Sequence, residues 1–140
     1  MRLGRELVVG LVLAGAACGG PSADLLRARQ AYDQGDLYRT LALLRLVGED
    51  EGSLTPEGRA QHAYLRGMTD HRIAATLPEG RAEERRIFRG CARRWLERAR
   101  ALAPASAPGT IGAEQLAQLE QSLDELGDAP ANDCDRKLAR

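Results

Sequence analysis

Aromatic residues are scarce in this chain: one Trp, one Phe and three Tyr among 140 residues. Strand-forming residues are few, while Ala, Leu, Arg and Glu abound. That balance disfavours a β-rich fold and favours helices. Neither sign of charge is in excess, with twenty basic and twenty acidic side chains. This excludes a strongly basic nucleic-acid binder and a disordered polyelectrolyte, so no nucleic acid is expected as a partner. Nor is there a long hydrophobic run. The segment Leu7–Ala17 is apolar or small for eleven residues, roughly 16 Å of helix against a bilayer core of about 30 Å.

Motifs for chemistry are also missing. Histidine occurs twice, at His62 and His71. Nine residues apart on one helix, they face opposite ways and do not share a metal ion there. The sequence holds no His-Glu-x-x-His stretch, Cys-x-x-Cys pair, calcium loop, phosphate-cradling glycine loop or Gly-x-Ser-x-Gly elbow. Glu83 and Glu84 are adjacent and diverge by about 100° on a helix, a poor start for a carboxylate pair. Asp70 beside His71 reads as an ordinary polar face, and Glu49-Asp50-Glu51 as a solvated loop. No catalytic residue, metal site or cofactor is therefore expected, and the chain reads as non-enzymatic.

What is present begins at the N-terminus. Arg2 and Arg5, diluted by Glu6, precede the apolar run, and Ala16-Ala17-Cys18 follows. This is the layout of a secretory signal peptide. Leu13-Ala-Gly-Ala-Ala-Cys18 resembles the lipobox of bacterial lipoproteins. It departs from that pattern at Gly15, where the family usually has Leu. The resemblance implies a signal peptide over 1–17, cleavage before Cys18, and acylation of that cysteine on sulfur and on its new amine. It also implies an anchor in the membrane, because each buried methylene of an acyl chain contributes about 0.8 kcal/mol. Gly19 in place of Asp implies outer-membrane sorting, with the protein facing the periplasm. Residues 18–22 would be the lipidated cysteine and a short linker, 23–127 a helical domain, and 128–140 a polar tail.

Two cysteines then remain. In an oxidising envelope, Cys91 and Cys134 suggest a disulfide closing a long loop. The alternative is a small buried Cys91 and a free Cys134 among Asn132, Asp133 and Asp135, which would raise the thiol's pKa and disfavour a reactive thiolate.

The body of the chain predicts about five helices in antiparallel hairpins, an all-α fold. Pro21 and Ser22 open a helix to Asp33, with Leu25, Ala28 and Tyr32 on its apolar face. Gly35-Asp36 turns the chain into a second helix, Leu37 to Val47, burying Leu37, Leu41 and Leu44. Thr55-Pro56 caps a third over Glu57 to Leu77, with Tyr64, Leu65, Met68, Ile73 and Leu77 as its core set. Gly67 weakens that helix by about 1 kcal/mol relative to Ala. The fourth, Gly80 to Ala103, carries the clearest periodicity, with Ile87, Phe88, Cys91, Trp95, Leu96, Ala99 and Leu102. It is expected to be the central packing element, with Trp95 in the core. The fifth, Ile111 to Leu126, aligns Leu116, Leu119, Leu123 and Leu126, and Gly127 ends it.

Ala28, Tyr32, Gly35, Asp36, Leu37 and Leu44 resemble a tetratricopeptide hairpin, and Ala92, Leu96, Ala99 and Pro104 resemble the second helix of a degenerate further unit. Thr40 stands where that family usually has Ala, and the linker between the third and fourth helices has the wrong length. The resemblance implies a helical array that binds other proteins, with a small bundle as the alternative. An apolar groove, if formed, would be lined by Tyr32, Tyr38 and Tyr64.

Charge is segregated. Residues 81–100 hold eight arginines against three glutamates, while 112–135 hold seven acidic residues and no basic one. Either the acidic helix packs beside the basic one, or Arg86, Arg89, Arg93 and Arg100 present an exposed face to anionic lipid headgroups or an acidic partner. The functional expectation is a lipid-anchored envelope protein acting as a non-catalytic interaction or assembly module for another envelope protein. The alternatives are a purely structural lipoprotein domain and an enzyme with an unrecognised site.

Overall fold

The computed structural model describes residues 19–105, 110–130 and 134. The expected lipidation site Cys18 and the expected signal peptide over 1–17 lie outside them. Five α-helices form an all-α bundle: α1 Pro21–Asp33, α2 Leu37–Glu49, α3 Pro56–Thr76, α4 Ala82–Leu102 and α5 Ala113–Leu126. Short 3-10 turns at Glu51–Ser53, Glu79–Arg81 and Ala103–Ala105 join or extend them. No strand occurs among the described residues, and none of their helices is long and apolar enough to cross a membrane.

The helix ends follow local chemistry. α1 stops at Gly35, whose φ of 77° suits a residue without a Cβ. There the Asp36 N–H donates to the Ala31 carbonyl and the Gly35 N–H to the Tyr32 carbonyl, at 3.0 and 2.9 Å. This pair of bonds satisfies carbonyls that the helix leaves open. Asp36 then caps α2 by accepting from the Arg39 N–H, and Thr55 caps α3 by accepting from the Gly58 N–H. At the start of α5 the Gln115 side chain accepts from the Gly112 N–H.

The hub is α3, not α4. Every residue from His62 to Asp70 is buried, and α3 packs against each of the other four helices. A helix covered on all sides shows little amphipathic period, and His62, Arg66, Thr69 and Asp70 interrupt what apolar pattern there is. α4 keeps one solvent face, so its periodicity is stronger although it is less central. Leu44, Ala60, Ala63, Tyr64, Leu65, Met68, Leu96 and Leu119 lie in one continuous core. Leu41, Ile73 and Leu77 form a second cluster, covered by Leu37 and Phe88.

The tightest approach in the bundle is at Gly67. A Cβ there would lie 2.6 Å from Leu96 Cγ and 3.0 Å from the Leu96 backbone nitrogen. Glycine in the middle of α3 therefore lets α4 close onto it, and this need outweighs its cost in helix propensity. The structure also joins Cys91 to Cys134, with Cα atoms 4.7 Å apart and 43 residues of separation. Both cysteines are buried beside Ile87.

Gly67→Ala removes a helix penalty of about 1 kcal/mol but forces a methyl into Leu96 and its backbone. Overpacking of this kind typically costs about 1–3 kcal/mol, so thermal unfolding is expected at a lower temperature than in wild type; an unchanged or raised midpoint would contradict the contact. Replacing Cys91 and Cys134 together by Ala is expected to destabilise by up to about 4 kcal/mol, from loop-closure entropy. Thiol titration of the denatured oxidised protein is expected to find neither of these two sulfurs free.

Candidate functional site

A cleft of about 500 Å³ opens between the end of α2, the turn after it, α3 and α4, and Cys134 also lines it. Its walls carry Arg45 and Glu49 from α2, Glu51 from the turn, His62 and Arg66 from α3, and Arg94, Trp95 and Arg98 from α4.

Helical spacing creates the inner wall. His62, Arg66 and Asp70 recur every four residues and so share one stripe of α3. All three are buried. His62 Nε2 lies 2.9 Å from the Leu44 carbonyl. A carbonyl only accepts, so the proton sits on Nε2 and Nδ1 is a lone-pair acceptor. Nδ1 is buried without a hydrogen bond, 3.9 Å from Glu51 Oε1. Burial pulls the His62 pKa down, against the hydrogen bond to Leu44 and the nearby Glu51, and keeps the ring neutral near pH 7.

Arg66 lies 3.4 Å through Nε from Asp70 Oδ2, yet that nitrogen makes no hydrogen bond, and neither carboxylate oxygen of Asp70 has one. Burial pushes the Asp70 carboxyl up to about 7, in spite of the opposing Arg66 charge. Burial likewise pulls the Arg66 pKa down. An incompletely satisfied buried ion pair is costly, because desolvation offsets much of the mutual attraction.

The outer wall is Trp95. It is half-buried, not a core residue as its place in the α4 pattern suggested. The guanidinium carbons of Arg66 and Arg98 lie 5.5 and 5.3 Å from its ring centroid, and the His62 ring meets it edge-on at 5.3 Å. Arg98 also donates to Glu51 Oε1 at 2.6 Å, tying α4 to the turn after α2. Glu51 is thus a structural anion inside the cleft, whereas the sequence suggested a solvated loop.

The other candidates fall elsewhere. Arg89 donates to the Glu125 and Leu126 carbonyls at the end of α5, and Arg93 to Glu97 and the Ala129 carbonyl. Arg86 pairs with Glu83, and Arg100 with Glu120. The four arginines therefore have acceptors within the chain, and α5 packs against α4. A cation at a helix C-terminus, as Arg89 is for α5, interacts favourably with the helix dipole. His71 faces Glu125 at 3.3 Å, remote in role from His62. The three tyrosines do not line the cleft. Tyr64 is buried and donates to Gln118 at 2.8 Å, Tyr32 lies under Arg72, and Tyr38 is exposed.

A scan of known protein families, a search of curated proteins and a search of solved structures found no match to this chain. The lipobox and tetratricopeptide resemblances rest on the residues quoted for them.

Asp70 gives the site a pH signature. Its carboxyl ordinarily ionises at 3.8 and is pushed up to about 7 here. Between those values the folded protein holds a proton that the unfolded chain has released, so this group's contribution to stability falls as pH rises and is flat above the window. Relative to Asp70→Asn, wild type is expected to lose stability across that range by at most about 1.4 kcal/mol per pH unit. Denaturant melts of both proteins at several pH values test this, since other titrating groups cancel in the difference. A pH-independent difference would contradict it.

Proposed function

We propose that this chain is a lipid-anchored helical module of the bacterial cell envelope, held at the outer membrane through acylated Cys18 and facing the periplasm, where it binds another envelope protein without catalysing a reaction. The observation that carries the reading is the cysteine pattern. One cysteine ends a lipobox-like segment, and the other two meet as a buried disulfide, the arrangement suited to an oxidising compartment.

A binding role is favoured over a purely structural one by the cleft, which keeps buried charge next to an accessible indole. A catalytic role lacks its parts. His62 Nε2 is engaged by Leu44, Glu51 is engaged by Arg98, and Cys134 is bonded to Cys91. Among the described residues that line it, none offers a hydroxyl or free thiol as nucleophile. Among the described residues no cluster of three or more His, Cys, Asp and Glu side chains is placed to hold a metal.

The α1–α2 hairpin and its tight Gly35-Asp36 turn support the tetratricopeptide-like reading of that segment. The internal acceptors of Arg86, Arg89, Arg93 and Arg100 favour a structural role for these side chains over a contact with anionic headgroups.

Replacing Cys18 by Ser tests the anchor. The variant is expected to leave the membrane fraction and to lose the mass of its acyl chains. Retention in the membrane at the mass of an unmodified protein would overturn the proposal.

A further inference from the structure

The cleft holds charges of both signs that the fold leaves without a full complement of partners. Arg66 is the first. Its side chain is only 7% exposed, its ion-pair partner Asp70 stands 3.4 Å from Nε, and that buried nitrogen makes no hydrogen bond. A guanidinium so far removed from water is costly while its N–H groups lack well-aligned acceptors, and Asp70 alone does not complete them. Two further charges stand at the rim, Arg45 and Glu49, one turn apart on α2. Both are exposed, both line the cleft, and among the described residues neither forms a hydrogen bond or ion pair.

The walls therefore ask for two things from a ligand. Arg66 and Arg45 call for an acceptor, and a guanidinium fork matches a carboxylate. Glu49 calls for a cationic donor, since Glu51 is already held by Arg98. Trp95 also lines the cleft, with the Arg66 and Arg98 guanidiniums on its ring, and offers apolar surface to a ligand's side chain. The cleft's volume of about 500 Å³ falls in the range of small-molecule sites.

We propose that the Arg66–Trp95 cleft is a binding site for a small amino-carboxylate, a free amino acid or short free peptide, whose carboxylate is held by Arg66 and Arg45 and whose ammonium is held by Glu49. Inorganic phosphate presents no cation to Glu49 and leaves that carboxylate uncompensated. The site is separate from the anchor: it needs neither Cys18 nor a protein partner, and the Cys18→Ser fractionation has no bearing on it.

Trp95 is the sole tryptophan of the chain, so its fluorescence reports on this cleft alone. The full chain, purified in detergent, is titrated with leucine, alanyl-leucine, N-acetyl-alanyl-leucine, alanyl-leucine amide and inorganic phosphate. A saturable change is expected with leucine, with alanyl-leucine or with both, and which of them responds assigns the amino acid or the peptide as the source. Capping either end of the responding compound is expected to weaken binding by about tenfold or more, one lost charge contact being worth about 1.4 kcal/mol.

Arg66→Lys is expected to weaken the free ligand. Because Arg66 is buried and its replacement can disturb folding, Arg45→Gln and Glu49→Gln provide the surface test. The first should weaken ligands with a free carboxylate and spare the amide; the second should weaken ligands with a free amine and spare the acetylated form. The inference is overturned if no amino acid or peptide gives a saturable change, if capped and free forms bind alike, or if phosphate binds as well as they do.

Discussion

The contact between Gly67 and Leu96 sets the geometry on which the rest of the structure depends. With no side chain at Gly67, the backbone of α4 comes close enough to α3 to bury its middle stretch. That approach places Trp95, one residue before Leu96, over the His62–Arg66 stripe. It also brings Arg98 to Glu51, so one contact between two helices sets the inner and outer walls of the cleft and the turn that joins them. The same closeness explains why α3 tolerates glycine in its centre, where propensity alone argues against it.

Burial of α3 then governs the chemistry. Polar residues at four-residue spacing on a surface helix are ordinary solvated groups. Enclosed by four neighbouring helices, His62 stays neutral, Asp70 resists ionisation, and Arg66 loses water without gaining a well-aligned acceptor. By contrast, the arginines of α4 that point toward α5 reach its C-terminal carbonyls and acidic side chains. The segregated charges of the sequence thus hold α5 in place, and the unsatisfied charge gathers on the opposite side, at the cleft.

Much of this was legible in the residues. The Gly35-Asp36 turn, the Thr55-Pro56 start and the Gly127 stop fixed helix ends to within a residue or two, because each rests on local backbone chemistry. The Leu periodicity of α2 and α5 indicated their buried faces. The hub was not legible, since a helix buried on all sides carries no amphipathic signal, and α4 displayed the stronger period because one of its faces stays wet. The site was missed for a related reason. Arg66 and Asp70 look like routine surface charges until α4 covers them, and Trp95 has the spacing of a core residue while sitting at the core's edge. The one available signal was the His62, Arg66, Asp70 stripe at helical spacing within an otherwise apolar stretch. Arg45, Glu49 and Arg98 come from other elements, and only tertiary packing brings them to it.

Residue-resolved amide hydrogen exchange on the oxidised full chain tests the central role of α3 most directly. Local stability should follow burial and contact density. The slowest amides are expected between His62 and Asp70 and in the facing part of α4 around Leu96, with α1 exchanging faster than both. Exchange of the α3 segment as fast as that of α1 would contradict the account.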